Sequence, residues 1–504
     1  MSAKHKNKCG IWTSHKGMKK NILFKIMNSI RTKVISGIIW KFCERFSSQI
    51  VSFVVSIVIA RILMPSDYGI VAMVNVFIAI ANIFVVSGFT SALIQKQNAD
   101  EYDFSTIFYC SLIISIILYL VLFFSAPAIS RFYGVDELTD VFRVFGLILP
   151  ISSYNAIQNA YVSKQMKFKK NFCGTFIGTV SSGLLGIYFA LRGYGVWALI
   201  FQYLSNNIIN GFVIFCLIDW RPKLYFSINR AKPLLKFGVN VLAADFIGTF
   251  FNQLNAFLIG KRFSVDQLAF YNRGQSFPYL VNGNLGAVIS SVIYPAFSSE
   301  SNDEKKFLSI MKRSVKISTY VLSPLFLGLA AVGNNMIKVL LTDKWIDAYP
   351  FLVIISISCL FSAPSTINLQ VLKAKGFSNV VFHLEFIKKP IWFAMTICAL
   401  FIGVKALACV LILVGFEEMV VNAIAVRKVV DYSFKDQMKD FFISLIPSIV
   451  MFLLIFPMQF VETSCYILFP LQIICGAIIC IAVSFLIKNE SFLYLFDLLK
   501  KRNR

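Results

Sequence analysis

From Ser36 to Ile487 the chain alternates between long apolar runs and short polar links. A helix rises about 1.5 Å per residue, so roughly 20 apolar residues cross a hydrocarbon core of about 30 Å. The pattern predicts fourteen such helices, at approximately 34–63, 69–94, 105–129, 138–162, 171–191, 195–218, 234–260, 268–297, 315–341, 348–373, 380–402, 404–427, 439–460 and 465–487. The first, fourth and eleventh carry charge and are the weakest, which leaves a count of 12 or 13 open. Between the runs there is no room for a soluble domain.

Composition agrees with this reading. Hydrophobic residues make up 57% of the 504 and charged residues only 15%, too few to cover a soluble surface of that size. The net charge of +24 sits in small groups between apolar runs. That arrangement argues against a nucleic-acid partner, which would need one basic face. With residues at span ends counted to their links, 35 of the 49 Lys and Arg fall on the N-terminus, the even-to-odd links and the C-terminus. The odd-to-even links hold 6, and the other 8 lie within spans. Such a bias predicts that both termini are cytoplasmic.

Residues 1–33 are expected to form a basic cytoplasmic tail. Lys41, Glu44 and Arg45 interrupt the following run, where a signal peptide would be uniformly apolar. The 11 cysteines include no CxxC pair and are mostly within spans, as small hydrophobes. Of the 3 histidines, His5 and His15 lie in the tail and only His383 lies in a span, so no histidine metal cluster is expected. No phosphate-cradling glycine loop occurs, which argues against ATP hydrolysis.

The chain also repeats itself. Phe46 onward reads FSSQIVSFVVSIVIARILMPSDYG, and Phe246 onward reads FIGTFFNQLNAFLIGKRFSVDQLA. Each copy ends a span in a small and a basic residue, Ala60-Arg61 or Gly260-Lys261, before a short acidic turn with Asp67 or Asp266. Near spans four and ten, Val162 to Phe168 corresponds to Val371 to Phe377. An offset that crosses six spans preserves orientation. The expected fold is therefore an all-α membrane protein of about 14 transmembrane helices. Two six-helix lobes, 34–218 and 234–427, would be related by a pseudo-twofold axis along the membrane normal. Residues 219–233 would be a cytoplasmic linker, 428–488 would add spans thirteen and fourteen, and 489–504 would be a basic cytoplasmic C-terminus. Parallel repeats of this kind suit a substrate path and alternating access.

Several stretches distributed along the chain carry a family resemblance. They include Ile35-Ser36-Gly37 with Trp40-Lys41, Ala60 to Gly69, Leu235-Lys236-Phe237-Gly238 and Phe270-Tyr271-Asn272-Arg273. Tyr294-Pro295-Ala296-Phe297, Asp343-Lys344-Trp345 and Leu372-Lys373-Ala374-Lys375-Gly376 complete the set. Together the chain resembles the Wzx-type oligosaccharide flippases of bacterial surface-polysaccharide pathways, in the multidrug/oligosaccharidyl-lipid/polysaccharide exporter superfamily. The resemblance implies a non-enzymatic transporter in the bacterial cytoplasmic (inner) membrane. It would move an undecaprenyl-diphosphate-linked sugar unit outward, with membrane lipid and a polysaccharide polymerase as partners.

The in-span charges are compatible with that role. Lys41, Glu44, Arg45, Ser48, Ser52 and Ser56 fall within about 120° on a helical wheel. A charge at the bilayer centre costs on the order of 2.5–3.5 kcal/mol, so this stripe should face a cavity or another helix. Arg45 is chemically apt for a diphosphate; equally, Glu44 pairs with Lys41 or Arg45 as structural glue, or Lys41 snorkels to headgroups. Arg143 and Arg273 start spans from the outer side, as passage lining or as interface anchors. Arg61 lies off the stripe, where packing or anchoring suits it better. Glu385, Lys388 and Lys389 share a face before Pro390, as an internal ion pair or as cavity cations. Asp245, Glu417 and Glu418 are carboxylates at membrane depth. Asp245 and Glu418 are candidates for proton or sodium coupling, or are ion-pair partners. No other cofactor is expected. A small-molecule exporter of the same superfamily remains the alternative. A membrane polysaccharide polymerase or ligase fits less well, because the external links are too short to hold an acceptor site.

Overall fold

The computed structural model describes residues 36–37, 39–300 and 303–502; the tail 1–33, with His5 and His15, lies outside them. Every regular element among the described residues is helical. The chain is a multi-pass membrane protein, and among the described residues 12 helices are long and apolar enough to cross a bilayer.

The two predicted spans missing from that set differ for physical reasons. The fourth is a broken helix, α4 (Leu138–Phe145) followed by α5 (Ile148–Lys164), and it carries Asp140, Arg143, Asn155, Gln158 and Asn159 along its length. The eleventh, α13 (Ser378–Leu400), carries Glu385, Lys388 and Lys389 within one apolar stretch.

The structure forms two compact units. The first holds residues up to Ile62 together with Val74–Asn252. It contains α1 (Ile39–Ile62), most of α2 (Pro65–Gln95), α3 (Glu101–Tyr133), α4, α5, α6 (Phe168–Leu191), α7 (Val196–Leu217) and most of α8 (Ile228–Arg262). Here α3 packs on α4 and α5, and α7 packs on both α5 and α6. Phe89, Leu93, Phe104, Ile107, Ile157 and Trp220 are buried in its core. At one crossing α2 meets α8 backbone to backbone. A Cβ added at Gly88 would lie 2.5 Å from the carbonyl oxygen of Gly238, so only glycine allows this approach.

The segment between α7 and α8 is fastened down. Trp220 is fully buried, the Lys223 amide donates to Ser105 Oγ at 3.0 Å, and Arg221 lies 3.7 Å over the Phe215 ring. Asp100 caps α3 in a capping box with Asp103. Arg230 reaches back to both carboxylates, at 2.7 Å and 3.2 Å.

The second unit holds Leu63–Met73 and Gln253 onward. It contains α9 (Val265–Ser299), α10 (Glu304–Leu341), a 3-10 turn (Asp343–Ala348), α11 (Tyr349–Cys359), α12 (Ser362–Ala374), α13, α14 (Val404–Arg427), α15 (Phe434–Ile455), α16 (Cys465–Leu486) and α17 (Glu490–Arg502). In it α10 packs against α9, α11, α15 and α16, and α14 packs against α11 and α13. Phe297, Phe307, Met311, Ile367, Val426 and Tyr432 form one buried cluster. Side-chain amides cross the bundle as pairs, Asn335 to Gln472 and Asn368 to Gln437, each at 3.0 Å. Such pairs satisfy polar groups that lipid cannot.

The order of elements repeats along the chain. A two-residue turn separates α1 from α2, and another separates α8 from α9, their helix ends lying 262 − 62 = 200 residues apart. Broken helices α4–α5 and α11–α12 recur 359 − 145 = 214 residues apart. Two helices run well beyond the apolar windows: α8 starts at Ile228 and α10 at Glu304. Each continues as an amphipathic helix where the sequence turns polar, which apolar length alone does not detect.

Candidate functional site

A polar cavity of about 460 Å³ opens within the first unit, between α1, α6 and α7. From α1 it takes Lys41, Glu44, Arg45, Ser48 and Ser52, five members of the predicted stripe, and also Gln49 and Val55. The sixth member, Ser56, is not part of its lining. α6 contributes Thr175, Thr179 and Ser182, and α7 contributes Gln202, Tyr203 and Asn206. Lys41 and Val55 are 14 positions apart, about 21 Å along a helix.

At the Val55 end of the cavity α6 is thin where it meets α1. A Cβ at Gly183 would come within 2.5 Å of Val55 Cγ2, so α1 seats directly on the α6 backbone. Nearer the helix starts the contact changes from packing to hydrogen bonding. Glu44 is buried, and its Oε1 accepts from Asn171 Nδ2 at 2.8 Å and Thr175 Oγ1 at 3.3 Å. Its Oε2 faces Lys41 Nζ at 3.3 Å. Asn206 Nδ2 donates to Ser182 Oγ at 3.0 Å and ties α7 to α6. Two cations and one carboxylate line the cavity, so its formal charge is positive. Amide and hydroxyl groups make up most of the remaining lining. Chemically, such a lining could hydrogen-bond an anion joined to a polyhydroxylated group, because a guanidinium offers a rigid donor fork and Ser, Thr, Asn and Gln side chains offer adaptable ones. Among the described residues no three His, Cys, Asp or Glu side chains gather as a metal site.

The other predicted residues stand in separate surroundings. Arg143, on α4, lies 4.9 Å over the Phe123 ring and 4.0 Å from Asp140. Arg273, on α9, sits in an aromatic cage, 5.5 Å from the rings of Tyr68 and Trp345 and 6.0 Å from Phe277. Such a cage holds a guanidinium by cation–π attraction. Asp245 accepts from Ser87 Oγ beside the Gly88–Gly238 crossing. On α13, Glu385 pairs with both Lys388 and Lys389, the latter at 3.6 Å and also 5.0 Å over Trp392. Glu417 and Glu418 of α14 lie within electrostatic reach of those same three residues, so five ionisable side chains share the α13–α14 interface.

Sequence reasoning found the α1 half of the cavity and missed the α6 and α7 half. A signal was present in α6: Asn171, Thr175, Thr179 and Ser182 recur at helical spacing on one face. Without a charge among them, that stripe looks like ordinary helix-packing polarity.

Residues 58–350 match the model of a family described as polysaccharide biosynthesis protein. The succinoglycan biosynthesis transport protein ExoT of Rhizobium meliloti (strain 1021) is 22% identical over 349 residues, 69% of this chain and 71% of that protein. The lipopolysaccharide biosynthesis protein WzxC of Escherichia coli (strain K12) is 22% identical over 396 residues, covering 77% and 78%. Among solved structures, the lipid II flippase MurJ in an inward closed conformation superposes with a TM-score of 0.73. That match covers 90% of this chain and 99% of the other at 16% identity, a likeness of fold.

Proposed function

The chain belongs to the polysaccharide biosynthesis protein family, and we propose that it works there as a flippase. It carries an undecaprenyl-diphosphate-linked oligosaccharide repeat unit from the cytoplasmic to the outer leaflet of the bacterial inner membrane. The product feeds assembly of a surface polysaccharide, by way of a polymerase. The observation that carries this reading is the cavity on α1, α6 and α7, which combines Arg45 and Lys41 with neutral hydrogen-bonding groups.

Crossing makes and breaks no bond, so no general acid, base or nucleophile is required. The head group is the obstacle: a diphosphate and several sugars cannot cross hydrocarbon unaided. Arg45 holds the diphosphate by charge-assisted hydrogen bonds, with Lys41 beside it. Glu44, held by Asn171 and Thr175, keeps Lys41 in place and limits the cavity's positive charge. The Ser, Thr, Asn and Gln side chains take sugar hydroxyls. The polyprenyl tail stays in lipid. Transport then needs two states of differing access and differing affinity for the head group. In this reading 34–218 and 234–427 act as repeated lobes and both termini are cytoplasmic. Reporter fusions after Lys170, Lys232 and Arg313 would report from the cytoplasm, and those after Gly134 and Lys261 from outside.

The decisive experiment is reconstitution in liposomes with a fluorescent polyprenyl-diphosphate oligosaccharide, with and without a proton or sodium gradient. Movement of the labelled lipid to the opposite leaflet supports the proposal. Failure to move it, together with export of a cationic drug, would favour the small-molecule exporter. Repeating the assay with Asp245→Asn and Glu418→Gln tests coupling, because a carboxylate that binds the driving ion is needed only when a gradient drives transport.

A further inference from the structure

A second cationic groove, of about 520 Å³, lies in the second unit between the start of α10 and α17. It arises where α10 extends beyond its apolar stretch. Over these first turns Phe307, Met311 and Val315 are buried on one face. Lys305, Ser309, Lys312, Arg313 and Lys316 line the groove from the other. The opposite wall is α17, whose start is fixed by Asn489: its Oδ1 accepts from the amides of Ser491 at 3.0 Å and Phe492 at 3.3 Å.

The charges in this groove are unevenly matched. Lys316 is neutralised by Glu490 at 2.8 Å and Asp440 at 3.3 Å. Among the described residues no carboxylate pairs with Lys305, Lys312 or Arg313. Arg313 rests 4.6 Å over the Tyr494 ring and Lys312 lies 5.4 Å from that of Tyr432, so aromatic rings position both cations and leave their charge uncompensated. Four cations against Glu490 leave a formal lining charge of +3. Beside them α17 exposes Leu493 (40%) and Phe496 (55%), large apolar side chains that are costly to leave in water.

We propose that this groove binds the phosphate of an anionic phospholipid from the leaflet at which α10 begins. Phosphate chemistry follows from three cations that line one groove together with Ser309 and Tyr494, whose hydroxyls can add hydrogen bonds. A lipid source follows from position. The cations end where α10 becomes continuously apolar, which is the headgroup level of a bilayer, and Leu493 and Phe496 offer acyl chains a surface. The site is independent of the transport cavity and does not rest on the flippase reading.

The test uses purified full-length protein in neutral detergent. Retained lipid is read by native mass spectrometry, and the unfolding midpoint is read during titration with phosphatidylglycerol, phosphatidylcholine or inorganic phosphate. Phosphatidylglycerol should bind and raise the midpoint, while the other two do neither. Arg313→Gln should weaken phosphatidylglycerol roughly fivefold, and Lys305→Gln/Lys312→Gln/Arg313→Gln about a hundredfold. The charge-matched triple Lys428→Gln/Lys435→Gln/Lys439→Gln should bind like wild type. Equal binding of phosphatidylcholine, or unchanged binding by the Arg313 and groove variants, would overturn the proposal. Saturation by inorganic phosphate alone would overturn its lipid part. Should the groove triple fail to fold, Arg313→Gln alone decides.

Discussion

The Glu44 carboxylate of α1 accepts a 2.8 Å hydrogen bond from the Asn171 side-chain amide of α6, across 127 residues of sequence. This bond fixes the mouth of the cationic cavity, because the same carboxylate holds Lys41 and Thr175. Glu44→Gln keeps an acceptor for Asn171 and removes the charge opposite Lys41, so it should fold nearly as wild type. Glu44→Leu strands the buried amide of Asn171, at a cost of about 1–3 kcal/mol. The unfolding midpoint in detergent should fall for the leucine variant and hold for the glutamine variant. Equal midpoints would mean that water replaces the carboxylate without loss.

In the proposed mechanism Arg45 carries the greatest functional weight. Under the proposed mechanism Arg45→Ala abolishes export of the lipid-linked sugar while protein level in the membrane stays near normal. Arg45→Lys should recover only part, since an ammonium lacks the planar fork that grips a phosphate at two points. Arg61→Ala should be milder. Normal export by Arg45→Ala at wild-type abundance would make Arg45 structural and move the search to Arg273, Lys388 and Lys389.

How far the sequence reveals this molecule depends on how loudly each residue contradicts its surroundings. Apolar runs of bilayer length identify the helices, and charges inside α1 are costly enough to stand out, so Lys41, Glu44 and Arg45 are legible as a group. The neutral residues facing them are not: Thr175, Thr179 and Asn206 lie in spans where hydroxyls and amides commonly satisfy neighbouring backbone. Pairing between spans is equally hidden. Glu385, Lys388 and Lys389 are legible as one face of α13, yet nothing local indicates that Glu417 and Glu418 lie near them. Breaks such as Gly146–Leu147 and the amphipathic starts of α10 and α17 escape because apolar length is silent about them.

The α2–α8 crossing is sensitive to a single carbon. Gly88→Ala places its Cβ 2.5 Å from the Gly238 carbonyl oxygen, and Gly238→Ala places one 2.8 Å from that of Gly88. Backbone cannot swing aside as a side chain does, so each change should cost about 1–3 kcal/mol. The double variant should cost less than the sum, because both spread the same crossing. Additive losses in unfolding midpoint would show that the two glycines act separately.

Arg230 and Asp100 tie the segment before α8 to the cap of α3. Burial alone would raise the Asp100 carboxyl, but hydrogen bonds from Arg230 and the Asp103 amide outweigh it and hold the group below its ordinary value. A carboxylate depressed in the folded state stabilises it fully above the ordinary carboxylate range. That contribution fades as pH falls through the depressed value. Wild type should therefore lose stability below about pH 4. Arg230→Ala should begin lower at neutral pH and lose less on acidification, so the two curves converge. The pair is largely exposed, so solvent screening keeps the gap at neutral pH small. Unfolding midpoints taken from pH 7 to pH 3 check this, and parallel curves would remove Asp100 as the group that Arg230 stabilises.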